Sequence, residues 1–414
     1  MAVDIEALYT DLHRNPELSF AEHRTAGIVA DQLTALGYAV TTGVGRTGVV
    51  GVLENGDGPT VLLRADMDGL PVEEATGLDY ASTARGVDPD GVDVPVMHAC
   101  GHDVHVACLI GAAEQLVTDR ASWSGTVVAL FQPAEEFAAG ARAMVDNGLY
   151  ERFPKPDIVL GQHVGPAPAG TLGAHAGPAF AATDDVLVRL IGQGGHGSRP
   201  ETTVDPVLMA SATVVRLQGI VAREIAGAET AVVTVGTLHA GSKTNIIPPD
   251  ARLGINVRTY DPEVRETVLA AIERIARAEA AASGATEEPE FTHGNNFPAL
   301  VNDPDATATT MAAFRARFGD ARVVDPGAVT GSEDVGELAT AAGVPIVYWI
   351  LGGADAQIFA TAAAAGRIAQ DIPSNHSPYF APVIQPTLTV GVEALVVAAR
   401  TWLGDASAPA SAID

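Results

Sequence analysis

Four short apolar runs, GVVGVLE (48–54), TVLLRAD (60–66), GTVVALFQ (125–132) and DIVLGQH (157–163), restrict this chain more than any other feature. Each is too short for a buried helix and rich in β-branched residues, so each reads as a buried strand. Helical stretches at 102–118 and near 136–148 lie between them, which is the alternation of an α/β sheet with helices on its faces. Two amphipathic helices precede the runs, roughly 4–14 and 20–36, and Gly37 stands at the C-cap position of the second.

After about residue 180 the order changes. DVLVRLIG (185–192) is a strand, PVLMASATVVRLQGIVARE (206–224) a helix, and AVVTVGTLHA (231–240) and ARLGINVRTY (251–260) are strands. A long helix (262–283) and the strand EPEFTH (288–293) complete a βαββαβ unit, the ferredoxin-like two-layer arrangement. The first pattern then resumes, with VPIVYWI (344–350) as its clearest strand. The expectation is a discontinuous domain, 1–180 with 294–414, carrying an insert over 181–293. A chain of 414 residues is long enough for two or three domains.

Charge removes several function classes. A formal net charge of -27 repels phosphate backbones and anionic lipid, which argues against nucleic-acid and membrane partners. No apolar run approaches the ~18 residues of a membrane span. The first residues, MAVDIEALYTDLHRNPEL, lack the basic-then-apolar order of a signal peptide, so the cytoplasm is expected. Cys100 and Cys108 are the only cysteines and are expected to stay reduced. The tail DASAPASAID reads as disordered.

Polar clusters recur just after the strands: RADMDGLP (64–71), QPAEE (132–136) and GQHVG (161–165). The carboxyl ends of strands in an open α/β sheet converge on one crevice. Asp66, Asp68, Glu135, Glu136 and His163 should therefore gather there. MHACGHDVH (97–105) puts three His, one Cys and one Asp into a single short stretch, at a helix start on the same edge. IPSNHSPYF (372–380) adds His376 between two prolines, which mark a shaped loop. Singly, each cluster reads as well as a solvated turn. Together, carboxylate, imidazole and thiolate suit Zn²⁺, Mn²⁺ or Co²⁺ better than Mg²⁺ or Ca²⁺, which prefer oxygen. Two adjacent glutamates also allow one to hold metal while the other works as general base.

In chain order, LRADMD-LP, MHACGHD, QPAEE, GQHV, GGHGS-P, NIIP, VRTYDPEVR, GSEDVG and NHSPYF resemble the amidohydrolase branch of the aminoacylase/carboxypeptidase metallopeptidases. That branch includes hippurate hydrolases, N-acyl-amino-acid hydrolases and plant auxin-conjugate hydrolases. The resemblance covers nearly the whole chain. It implies an α/β fold, with a mixed-sheet zinc-peptidase-like catalytic domain and an inserted ferredoxin-like lid that also dimerises. It implies two divalent metal ions per subunit, zinc or manganese, with cobalt or nickel as substitutes in vitro. Their ligands map onto Cys100, His102, Glu136, His163 and His376. Glu135 matches the general base, and Asp68 matches an acid that fixes a ligand's tautomer by hydrogen bonding. His98, Asp103 and His105 are then secondary, and Cys100 is a thiolate ligand rather than a nucleophile.

The resemblance also implies a homodimer in which His196, within GQGGHGSRP (192–200), reaches the partner's substrate carboxylate or developing oxyanion. Asn245 and Arg258 match lid positions that hold substrate. The implied reaction is hydrolysis of the amide bond of N-acyl amino acids, with a dipeptidase or carboxypeptidase activity as the alternative. A two-metal phosphate-ester hydrolase is disfavoured, because few Lys or Arg lie near the motifs. A metal-binding protein without activity is disfavoured by the intact Glu135–Glu136 pair. One stretch departs from the family pattern. STARGVDPDGVDVPV (82–96) precedes MHACGHD as an acidic loop, which bears on substrate preference rather than on the metal chemistry.

Overall fold

The computed structural model describes residues 3–405, so nearly all of the tail expected to be disordered lies outside the described residues. Two compact units are formed. One comprises the residues up to Ala179, Val301–Gly327 and the residues from Asp334 on; the other comprises Phe180–Leu300 with Ala328–Glu333.

The first unit is built on an eight-stranded mixed sheet. Its strands run in the order Ala39–Val44, Gly48–Asn55, Gly125–Gln132, Thr60–Asp66, Ile158–Pro168, Ile346–Ala354, Leu172–Gly173 and Val323–Val324. The middle four are parallel, and the two before them join antiparallel as an edge hairpin. Thr60–Asp66 is buried at all but its first residue, as a parallel strand covered on both faces must be. Helix His102–Thr118 is buried over nearly its whole circumference, and helix Ile384–Trp402 packs beside it in the same core. The helix starts from Gly101 at φ 82°, where an added Cβ would meet Val164 Cγ1 at 2.3 Å. Only glycine gives both that conformation and that approach.

The structure departs from the sequence reading in four places, the first being that residues 294–300 and 328–333, expected in the discontinuous domain, belong to the second unit. Ala39–Val44, a mostly exposed stretch passed over as a strand, pairs with Gly48–Asn55. The helix expected near 136–148 is instead a 3₁₀ turn, Glu135–Phe137, followed by a shorter helix, Gly140–Asp146. The acidic stretch 82–96 holds a small hairpin of Arg85–Val87 with Asp93–Pro95, pinned by an exposed Arg85–Asp93 ion pair at 2.7 Å. Cys100 and Cys108 are both free thiols, and both are buried.

The second unit is a four-stranded antiparallel sheet in the order Ala231–Ala240, Asp250–Thr259, Ala182–Ile191, Glu290–Phe297. Helices Pro206–Arg223 and Pro262–Ala282 cross it, each opened by an Asp N-cap and a Pro in the first turn. The chain order βαββαβ with this strand order is the ferredoxin-like arrangement. Ala231–Ala240 is an edge strand, and helix Pro206–Arg223 exposes Leu208 and Val215 at 63% and 74%. The short segment Ala328–Glu333 is tied in by Arg258, which donates to Thr330 O at 2.6 Å, and by the Tyr260 hydroxyl, which donates to Val329 O at 3.1 Å. Among the described residues no helix is long and apolar enough to cross a membrane.

Candidate metal centre

Three parallel strands of the first unit are followed, or interrupted near the end, by acidic and imidazole side chains. Thr60–Asp66 leads to Asp68, Gly125–Gln132 leads to Glu135 and Glu136, and Ile158–Pro168 carries His163. Cys100 and His102 lie at the start of helix His102–Thr118. The ligand atoms of Cys100, His102 and His163 lie within 4.8 Å of one another, as do those of Cys100, Glu136 and His376. A third such group is His102, Glu135 and Glu136. The fold therefore brings all five expected ligands together, with Glu135 among them and Cys100 common to two groups.

Hydrogen bonding fixes which atoms face inwards. His163 Nδ1 lies 2.8 Å from the carbonyl of Val164, so Nδ1 carries the proton and Nε2 presents a lone pair, 3.4 Å from Cys100 Sγ. His102 Nδ1 lies 3.2 Å from Asp68 Oδ1, which leaves Nε2 facing the glutamates. That buried Nε2 makes no hydrogen bond, and it stands 3.9 Å from both Glu135 Oε2 and Glu136 Oε1. His376 Nε2 lies 3.3 Å from Glu136 Oε1, and its backbone N–H donates to Ala99 O at 2.8 Å. His376 is a non-glycine residue at φ 69°, a strained conformation of the kind that clusters at functional sites.

Electrostatics favour a cation here. Burial pushes the Cys100 thiol well above its ordinary value, and the Glu136 and Glu135 carboxylates push it further. Burial drives the His102 imidazole towards its neutral form, but Asp66, Asp68 and Glu136 outweigh it and raise its pKa to about 10. Burial lowers His163 well below the usual imidazole range. A divalent ion would replace the protons on Cys100 and His102 and meet an already neutral His163. The residues present fit such a group.

Asp68 ties the site together. Burial opposes its charge, yet hydrogen bonds from His102 and Ser19 hold its carboxyl below the ordinary value. Ser19 Oγ donates to Oδ2 at 2.6 Å, and the N–H groups of Glu135 and Glu136 donate to Oδ1 and Oδ2 at 3.2 and 3.1 Å. Asp66, also expected at this edge, stands 3.6 Å from His102 Nε2 and groups with His102 and His105, and it is held by further partners. Arg64 donates to it at 2.5 Å, and His105 Nδ1 lies at 2.5 Å while its Nε2 accepts the N–H of Val164. Asp103 pairs with His13 at 2.7 Å, and buried His98 makes no side-chain hydrogen bond. Sequence reasoning did not single out Ser19, His13, Glu22 or Asn375. Asn375 donates from Nδ2 to Cys100 O and Val164 O at 3.2 and 3.1 Å, and adjacency to His376 was its only signal.

The remaining candidates lie in the second unit. Gly195–His196 pairs with Ile246–Ile247, and Gly197 N–H donates to Asn245 O at 2.9 Å, so His196 and Asn245 are neighbours. Exposed His196 accepts at Nδ1 from the Ser198 N–H at 3.1 Å, with Ser198 Oγ at 2.8 Å. In the neutral ring the proton is then on Nε2, turned into a donor. Arg258 is not grouped with them; its guanidinium engages Thr330 O and Ser332 Oγ.

A sheet-edge cluster able to hold divalent metal, with a paired carboxylate inside it, defines a metal-dependent hydrolase. Residues 62–369 match Peptidase family M20/M25/M40, and the chain belongs to that family and is an amide-bond hydrolase. It is 38% identical over 346 residues to thermostable carboxypeptidase 2 of Saccharolobus solfataricus, covering 82% of this chain and 84% of that one. It is 37% identical over 319 residues to hippurate hydrolase of Campylobacter jejuni, covering 77% and 80%. In three dimensions it resembles the Bacillus subtilis YXEP protein, described as a dinuclear metal binding peptidase from the M20 family. The TM-score is 0.75 at 30% identity, over 96% of this chain and 98% of the other.

Proposed function

We propose that the chain hydrolyses the amide bond of N-acyl amino acids, with Cys100, His102, Glu136, His163 and His376 holding two divalent ions, zinc or manganese. The observation that carries this reading is the convergence of two ligand groups on Cys100 beside the Glu135–Glu136 turn. The ions would supply polarisation of the acyl carbonyl and acidification of water when bound. Glu135 takes the proton of the attacking water and delivers it to the leaving amine, the two halves of general acid–base catalysis. Asp68 holds the His102 ring and the backbone under both glutamates. The lid's His196, through Nε2–H, donates to the substrate carboxylate or the developing oxyanion, as an uncharged donor. It does so from the partner subunit of a homodimer formed through the second unit. Asn245 stands beside it, and Arg258 secures the segment Ala328–Glu333.

The exposed edge strand and the apolar helix face of the second unit support the dimer. Two free buried thiols support a reducing, cytoplasmic setting. The similarity to a relative named carboxypeptidase favours a second reading, cleavage of peptide substrates at the same site. A hydrolysis panel of N-acetyl, N-benzoyl and indole-acetyl amino acids and dipeptides, with each metal added, separates the two. Acyl amino acids should be turned over faster than dipeptides. Chelation should abolish turnover and Mn²⁺, Co²⁺ or Zn²⁺ should restore it. Full activity in protein shown metal-free by elemental analysis would refute the metal assignment.

A further inference from the structure

Glu22 is a wholly buried acid with no part in the steps above. Its Oε1 accepts two backbone N–H groups, from Phe20 and Ala134, both at 2.8 Å, and its Oε2 accepts the Thr47 hydroxyl at 2.5 Å. Both backbone donors belong to non-glycine residues in the left-handed region, Phe20 at φ 61° and Ala134 at φ 47°. Side chains tolerate that region only where their surroundings impose it. Ala134 immediately precedes Glu135. Three successive N–H groups thus end on two buried carboxylates: Ala134 on Glu22, and Glu135 and Glu136 on Asp68.

We infer that Glu22 is a positioning residue for the reaction: by gripping the Ala134 N–H it sets the turn from which Glu135 and Glu136 project. The inference rests on the roles given above to those two glutamates. Burial and the nearby Asp68 raise the Glu22 carboxyl to about 7. The grip does not depend on its ionisation. Oε1 accepts in either state, and the Thr47 hydroxyl can give or take the bond at Oε2. A misplacement of about 1 Å of a catalytic group can cost about a hundredfold in rate.

Because acceptance rather than charge is what matters, Glu22→Gln should behave like the parent and Glu22→Leu should not. With N-benzoylglycine as probe, kcat of Glu22→Leu should fall about tenfold or more. Its KM should stay near the parent's when metal is in excess, while its metal content by elemental analysis should fall, because Glu136 projects from the same turn. Amide exchange across residues 132–138 should accelerate in Glu22→Leu and not in Glu22→Gln. If Glu22→Leu does not fold, Glu22→Asp takes its place, since it keeps the charge and withdraws the acceptor by one methylene. An unchanged kcat per folded enzyme in Glu22→Leu, or in Glu22→Asp, overturns the inference, as does equal damage from Glu22→Gln. Glu135→Gln is assayed alongside. Full activity there would overturn the reading of the turn itself, whereas an inactive Glu135→Gln beside a fully active Glu22→Leu would overturn only the role of Glu22.

Discussion

His102 Nδ1 and Asp68 Oδ1 lie 3.2 Å apart, and that bond decides which ring nitrogen faces the two glutamates. Asp68→Asn presents an amide where an ionised carboxylate received the N–H groups of Glu135 and Glu136. Metal affinity should fall about 10–100-fold, the usual cost of losing the partner of a ligating histidine. Calorimetric titration of Mn²⁺ or Zn²⁺ into parent and variant measures it. Equal affinities would mean that Asp68 does not orient His102.

The paired glutamates should separate cleanly. Glu135→Gln should keep its metal and lose about a hundredfold or more in kcat, as expected for removal of a general base. Glu136→Gln should lose metal first. Elemental analysis of both variants with their kcat values checks the division; metal loss after the first substitution only would exchange the two roles.

A second buried network gives a pH signature. His13 lies between Asp103 at 2.7 Å and Glu74 at 3.1 Å. Burial lowers its pKa, but the two carboxylates overcome this and raise it from 6.5 to about 10. A pKa raised in the folded state gives stabilisation that is complete below the unfolded value and is lost as pH rises through the folded one. Removing one partner of a buried ion pair costs about 3–5 kcal/mol. His13→Gln should therefore be least stable relative to the parent near pH ~6, with the gap narrowing towards pH ~10. Urea unfolding of both proteins across that range checks the sign. A gap that widens with pH would contradict it.

The shared site proposed for the dimer makes two dead enzymes complementary. In a heterodimer of Glu135→Gln with His196→Ala, one site collects both lesions. The other has an intact Glu135 from one chain and an intact His196 from its partner, so mixing should restore activity that neither variant has alone. Verified heterodimers that stay inactive, from folded and metal-loaded parents, would exclude action of His196 across subunits.

Much of this was legible in the sequence because it follows local rules. Helix His102–Thr118 begins and ends where the pattern puts it, and the polar clusters meet because parallel strands share a carboxyl edge. The broken helix after Glu135 was not legible. Ala134 and Ala138 are good helix formers by composition, yet both sit at positive φ. For Ala134 one visible cause is Glu22, 112 residues away in sequence. Ser19 and Asn375 escaped for the same reason: each acts through one long-range hydrogen bond or two, and no periodicity encodes such a bond.

Asn375 and His376 reach Cys100 from beyond the second unit, and this ordering matters at the ribosome. Cys100, His102, Glu136 and His163 precede Phe180–Leu300 in the chain, and His376 follows it. A nascent chain ending within the second unit holds four donors and lacks both His376 and the amide that braces the Cys100 carbonyl. All five ligands proposed for the metal pair are thus in hand only once the second unit has been made, so the order of the chain sets when the proposed site can be completed.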